Sequence, residues 1–131
     1  MIALDTNVLV RFLVEDDAVQ SSRAARLVDR AIKAGEALFV ADIVLAELAW
    51  VLARAYDVSK AELLRVLRQL QAAKHLEFES SDVLARALDA WERGKGDFSD
   101  YLILARAEAN GCESVATFDK ALLKERHFTR P

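Results

Sequence analysis

Ala37-Leu38-Phe39-Val40-Ala41 is followed directly by Asp42, and then by Ile43-Val44-Leu45-Ala46-Glu47-Leu48-Ala49-Trp50-Val51-Leu52-Ala53. The first run is continuously apolar and of strand length, the pattern of a strand buried on both faces. The second is apolar at every position except Glu47. It reads as a helix, capped by Asp42 and running to about Tyr56, that is buried on nearly every side. A doubly buried strand feeding a helix is the building unit of a parallel sheet, because parallel neighbours need a long crossover between them.

Outward from this unit the pattern repeats. Residues 2–4 form a short apolar strand, and Val8-Leu9-Val10 with Phe12-Leu13 open a helix behind Thr6 or Asp5 as cap. Ser21 or Ser22 is expected to cap a helix with Ala24, Ala25, Leu27, Val28, Ala31 and Ile32 on its apolar face, ended by Gly35. Ser59 caps the next helix, with Glu62 at the capping-box position and Leu63, Val66, Leu67 and Leu70 at helical spacing. Leu76 to Glu79 is a short strand and Ser81 to Arg93 a helix, followed by Gly94-Lys95-Gly96. Asp97 or Ser99 opens a further helix that stops at Asn110-Gly111; Ser114 to Phe118 is the last strand, and Lys120 to Arg126 a short closing helix. Strands alternating with helices, without linker or repeat, predict one α/β domain over 1–131. Its short central parallel sheet is covered on both faces, a three-layer α/β/α arrangement with sites at the carboxyl ends of the strands.

Composition narrows the function classes. The 131 residues are 53% hydrophobic, and no low-complexity tract or block of like charge suggests disorder. No run approaches the length of a membrane span, and Met1-Ile2-Ala3-Leu4-Asp5 lacks the basic start of a signal peptide. A cytoplasmic protein is therefore expected. Cys112 is the only cysteine and His75 and His127 the only histidines, which removes a disulfide framework and a Cys/His zinc site. Acids outnumber bases 21 to 18, a balance that speaks weakly against a nucleic-acid partner. Setting aside the four acids Asp5, Glu47, Asp100 and Asp119 leaves 17 acids against 18 bases, and the tail from Lys120 onward is basic.

Each of those acids has two readings. Asp5 directly follows the first strand and is either a helix cap or a site acid. Glu47 stands alone in its apolar helix, where a buried carboxylate must be paired or metal-bound; the competing reading puts it at an exposed edge or against Arg11 or Arg54. Asp97 and Asp100 fall in one first helical turn, where one acid is explained as a cap and two are harder to explain so. Asp119 follows the last strand and also suits a cap. Together they converge: Asp5 and Asp119 end parallel strands, Asp100 begins a helix leaving the same sheet edge and Glu47 points in from a buried helix, and four carboxylates in one small space need a cation. Oxygen donors without His or Cys select Mg²⁺ or Mn²⁺, ions that hydrolyse phosphodiesters by activating water and stabilising the departing oxyanion. No glycine-rich phosphate loop is present. Lys120, beside Asp119, either helps to hold phosphate or is a solvated surface lysine. The helices around Trp50 and Leu63–Leu70 are more apolar than a small monomer needs, which suits a self-association surface or a partner groove as well as a core.

Ile2-Ala3-Leu4-Asp5-Thr6-Asn7-Val8-Leu9, Glu47 in its apolar helix, Asp100-Tyr101-Leu102-Ile103-Leu104-Ala105, and Val115-Ala116-Thr117-Phe118-Asp119 occur in this order along almost the whole chain. This ordered set resembles the PIN-domain ribonucleases, and among them the VapC-type toxins of bacterial toxin–antitoxin pairs. The resemblance implies that Asp5, Glu47, Asp100 and Asp119 match an acidic catalytic quartet. By the same resemblance Asp5 and Asp100 match the regular Mg²⁺ ligands, while Thr6, Asn7 and Thr117 match the polar residues that orient the quartet. Asp97 is an extra acid near the third position. The resemblance further implies an RNA substrate, a homodimer and a small antitoxin that covers the site. Two other classes compete. A receiver-type phospho-acceptor domain would need adjacent acids after the first strand and a lysine after the last, where this chain has Thr6 and Asp119. A non-catalytic PIN-like binding module would not need the quartet.

Overall fold

The computed structural model describes residues 1–131. Its elements run β1 (Ile2–Ala3), α1 (Thr6–Leu13), α2 (Ala18–Ala34), β2 (Leu38–Val40), α3 (Asp42–Ala55), α4 (Lys60–Ala72), β3 (Leu76–Phe78), α5 (Ser81–Arg93), α6 (Phe98–Ala109), β4 (Val115–Ala116), a 3₁₀ turn (Leu122–Lys124) and β5 (Phe128–Thr129). The α/β class expected from the sequence is the observed one: six helices and short parallel strands. The chain divides into two compact units, Met1–Glu79 and Ser80–Pro131. No helix is long and apolar enough to cross a membrane.

In the N-terminal unit β1, β2 and β3 form a parallel sheet in that order, with Ile2 opposite Leu38, Leu38 opposite Leu76 and Val40 opposite Phe78. Leu38 and Val40 are buried and Phe39 is half-buried, as the unbroken apolar run requires. The helices close this core with Leu9, Leu45, Leu48 and Leu67, all at most 2% exposed. Gly35 ends α2 in the left-handed conformation (φ 67°), which a side chain would strain.

Helix starts differ from expectation in two places. The cap of α2 is Asp17, whose carboxylate accepts the Gln20 N–H at 3.0 Å. Ser21 lies buried inside the helix and donates to the Val14 carbonyl at 3.4 Å, and Ser22 is exposed on it. The first turn went unread because it packs little: Val19 is 64% exposed, so no apolar periodicity marks it. Ahead of α3 the cap position belongs to Ala41; Asp42 is the first helical residue, and its N–H donates to Glu79 Oε1 at 2.8 Å. Ser59 does cap α4, accepting from the Glu62 N–H, while the Glu62 carboxylate turns to Arg65 at 2.8 Å instead of closing the box.

In the C-terminal unit α5 has the expected bounds, with Ser80 accepting the Val83 N–H at 3.1 Å. Its Val83, Leu84, Ala87, Leu88 and Trp91 face is buried, and the Trp91 and Phe98 rings meet at 5.5 Å. The last expected strand shrinks to Val115–Ala116. It belongs not to the three-stranded sheet but to a two-stranded parallel one, with Val115 opposite Phe128 and Ala116 opposite Thr129. A two-residue strand such as β5 carries no periodicity and left no signal in the sequence. The expected closing helix over 120–126 is a single 3₁₀ turn.

Caps contribute about 1 kcal/mol each. Asp17→Ala should therefore lower stability by about that amount, while Ser22→Ala stays within about 0.5 kcal/mol of wild type. Urea-melting midpoints at unchanged slope decide it; the reverse ranking would restore the serine cap.

Candidate active site

Asp5 leaves the end of β1 with extended backbone and caps α1, its Oδ1 accepting the Thr6 N–H at 2.8 Å. The residue is exposed, and its second oxygen has no partner. Thr6 beside it is only 5% exposed, and its hydroxyl oxygen has no hydrogen-bond partner. Buried hydroxyls are ordinarily satisfied, so an orphan next to a half-committed carboxylate marks a place prepared for another polar group. Asn7, the next residue, is exposed.

Asp119 repeats this arrangement after β4. Its Oδ1 accepts the N–H groups of Ala121 and Leu122 at 2.8 and 3.2 Å, and its own N–H donates to Thr117 Oγ1 at 3.1 Å. Thr117 thus pins the turn that carries the acid, an orienting contact. Asp100 occupies the first turn of α6 and reaches back with Oδ2 to accept the Asp97 N–H at 2.8 Å. Asp97 itself is the exposed N-cap residue. In all three aspartates one carboxylate oxygen is fixed by a backbone N–H at a helical start, and the other is free.

Glu47 departs from expectation. It is exposed rather than buried, on a stripe of α3 that also shows Ile43 at 68% and Trp50 at 62% exposure. The apolar sequence of α3 hides this open face, because an outward isoleucine and tryptophan count as core in any pattern. Neither candidate arginine pairs with it. Arg11 binds Asp16 at 3.0 Å, and Arg54 lies over the Trp50 ring at 5.9 Å.

Asp5 and Glu47 belong to the N-terminal unit, Asp100 and Asp119 to the C-terminal one. Within the latter the acids act on one another. Burial raises the Asp100 pKa above the ordinary carboxylate value; the Asp97 N–H opposes this, while the charges of Asp97, Asp119 and Glu125 add to it.

The contacts that support Asp100 are made across the unit and have little local signature. The Tyr101 hydroxyl donates to the Glu125 carboxylate (2.8 Å to Oε1) and accepts the Gly96 N–H at 2.9 Å; Glu125 also accepts the Lys95 N–H at 3.1 Å. Burial, and then the Glu125 carboxylate against the opposing Gly96 bond, push the tyrosine up to about 12. A Cβ on Gly94 would overlap the Tyr101 hydroxyl and ring, and one on Gly96 would lie 2.8 Å from Asp100 Oδ2. The Gly94-Lys95-Gly96 segment was the available signal: two glycines around one lysine mark a close backbone approach.

Nowhere do three Asp, Glu, His or Cys side chains gather into a group able to cage a metal ion. Mg²⁺ does not need such a cage, since it keeps several waters and takes one or two carboxylates besides substrate phosphates. The all-oxygen donors and the orphaned Thr6 hydroxyl fit that hard ion. The family model of the PIN domain matches residues 2–126. The chain belongs to the PIN domain family. No curated protein matches the sequence. PIN domains are usually nucleases and generally use divalent metals such as Mg²⁺.

A carboxylate whose pKa is raised on folding binds its proton more tightly in the native state. Its contribution to stability is then full below the unfolded carboxylate range of about 3.9 and is lost as pH rises through the higher native value. The melting midpoint of Asp100→Asn minus that of wild type, both in EDTA, should therefore increase from pH ~4 to pH ~7. A difference that stays flat or falls over this interval would mean that Asp100 acts only as a cap.

Proposed function

We propose that this PIN domain is a Mg²⁺-dependent endoribonuclease, with Mn²⁺ as a substitute, and that it is the toxin of a type II toxin–antitoxin pair. The observation that carries the nuclease reading is the shared geometry of Asp5, Asp100 and Asp119: one oxygen held by backbone N–H, one left open, in a chain of the PIN family. Asp5 and Asp100 would hold the ion, which when bound supplies an activated water and stabilises the departing oxyanion of the RNA backbone. Glu47 and Asp119 complete the acidic set, while the Thr6 hydroxyl and Asn7 beside Asp5 and Thr117 beside Asp119 orient it. The capping bonds keep the carboxylates of Asp5, Asp100 and Asp119 from turning away, so their free oxygens need little reorganisation to meet a ligand.

Ile43 and Trp50 on the open stripe of α3 support a homodimer, since exposed tryptophan and isoleucine on one helix face are what self-association covers. A small antitoxin that covers the acids completes the toxin reading.

Incubation of the purified protein with structured RNAs should give internal cleavage with Mg²⁺ and none in excess EDTA. Asp5→Asn and Asp100→Asn should each reduce the rate about a hundredfold or more, at least what loss of a supporting contact to a metal ligand costs. Asp97→Asn should mainly lower the melting point. Undiminished cleavage in EDTA, or an equal loss in Asp97→Asn, would refute the assignment.

A further inference from the structure

Phe118 is 86% exposed, more than any other large apolar side chain of the protein. Its backbone is pinned on both sides: the Thr117 N–H donates to the Thr129 carbonyl at 2.9 Å, and the Asp119 N–H donates to Thr117 Oγ1 at 3.1 Å. The ring is therefore held out in water by a fixed turn rather than left out by a loose one. Exposing an aromatic ring in this way forgoes the stabilisation that burial would bring, and nothing within the chain uses it.

The residues that follow are cationic. Lys120, Leu123, Lys124, Phe128, Thr129 and Arg130 line a shallow cavity of about 600 Å³. Lys120, Lys124 and Arg130 make no ion pair or hydrogen bond through their side chains, nor does Arg126. Glu125, the only acid among residues 120–131, is turned instead onto the Tyr101 hydroxyl and the Lys95 N–H. This edge thus stays positively charged in a chain of net charge −3.

We propose that this edge is a single-stranded RNA subsite, in which one base stacks on Phe118 and the adjoining phosphates are held by Lys120, Lys124 and Arg130. A bare ring offers a face that any unstacked base can cover, and unpaired lysines and arginine gain most from neutralising phosphate. The order ring, acid, cation at 118, 119 and 120 sets the free oxygen of Asp119 between base and phosphate sites along the chain. A duplex is excluded, since its bases already stack on one another. The subsite rests on the ribonuclease reading above and adds the edge of the fold, and the residues on it, that grip the strand.

Binding is measured in EDTA, where no cleavage occurs, by fluorescence anisotropy of a labelled single strand of about ten nucleotides and of an abasic strand of equal length. Phe118→Ala should weaken binding of the normal strand about tenfold and leave it bound no better than the abasic one, while Phe118→Trp restores the preference. Because Phe118 makes no internal packing, both variants should fold as wild type. Lys124→Ala combined with Arg130→Ala should weaken both strands alike and make the salt dependence shallower by about 1.4 in the log–log slope. Unchanged binding by Phe118→Ala, or a wild type blind to the missing bases, overturns the subsite. So does an acidic peptide that needs Phe118 while RNA does not. If wild type still cuts RNA with Mg²⁺ in those cases, the nuclease reading stands and only the subsite falls; if it neither binds nor cuts RNA, both fall.

Discussion

The first backbone N–H groups of every helix have no partner within that helix, and the way this chain satisfies them governs much else. Serines do it at Ser59 and Ser80, and their single oxygen is then used. Aspartates do it at Asp5, Asp17 and Asp119, and Asp100 does it from inside its helix; each keeps a second oxygen. A capping aspartate is therefore a pre-oriented half of a ligand. Asp17 shares the geometry without the context, since it follows a helix, whereas Asp5 and Asp119 leave the ends of parallel strands. Their place at strand ends sets Asp5 and Asp119 apart from Asp17, and the surrounding charges of Asp97, Asp119 and Glu125 set Asp100 apart.

Keeping acids close costs stability, and the C-terminal unit shows where that cost is held. Asp100 sits half-buried among the fields of Asp97, Asp119 and Glu125, with burial raising its proton affinity first. Two glycines let the backbone close over Tyr101 and Asp100, and the Tyr101 hydroxyl ties Gly96 to Glu125. The loop before α6 and the segment after the 3₁₀ turn are so fastened to one side chain. A group of like charges braced from two directions is more than a capped helix requires.

How much of this was legible followed from what each residue does locally. The continuous run at 37–41, the glycine stop at Gly35 and the serine start at Ser59 each act through their own neighbours, so sequence alone placed them. The cap of α2 was misread because its first turn is exposed and carries no apolar period, and β5 because two residues have no period at all. Glu47 differs for another reason: Ile43 and Trp50 face solvent beside it, so the apolar content of α3 overstates its burial. The Tyr101–Glu125 pair spans 24 residues, and no local pattern announces a contact made across a fold. Asp5, Asp100 and Asp119 are legible because strand ends and helix starts are local, while the Tyr101–Glu125 pair that braces Asp100 is not.

The acidic balance of the whole chain looked unfavourable for a polyanionic partner, and the distribution of charge answers that objection. Net charge controls long-range attraction, which salt screens within about 10 Å. Contact with phosphate depends on the cations nearest the strand, and those following Asp119 are unpaired. Many of the arginines and lysines elsewhere are already engaged, as Arg11 with Asp16, Arg65 with Glu62 and Arg86 with Asp82. The acids that tip the total include Asp5, Glu47, Asp100 and Asp119. Acids of the proposed site and unpaired bases along the proposed RNA edge pull the charge balance in opposite directions, so the total of −3 describes neither face.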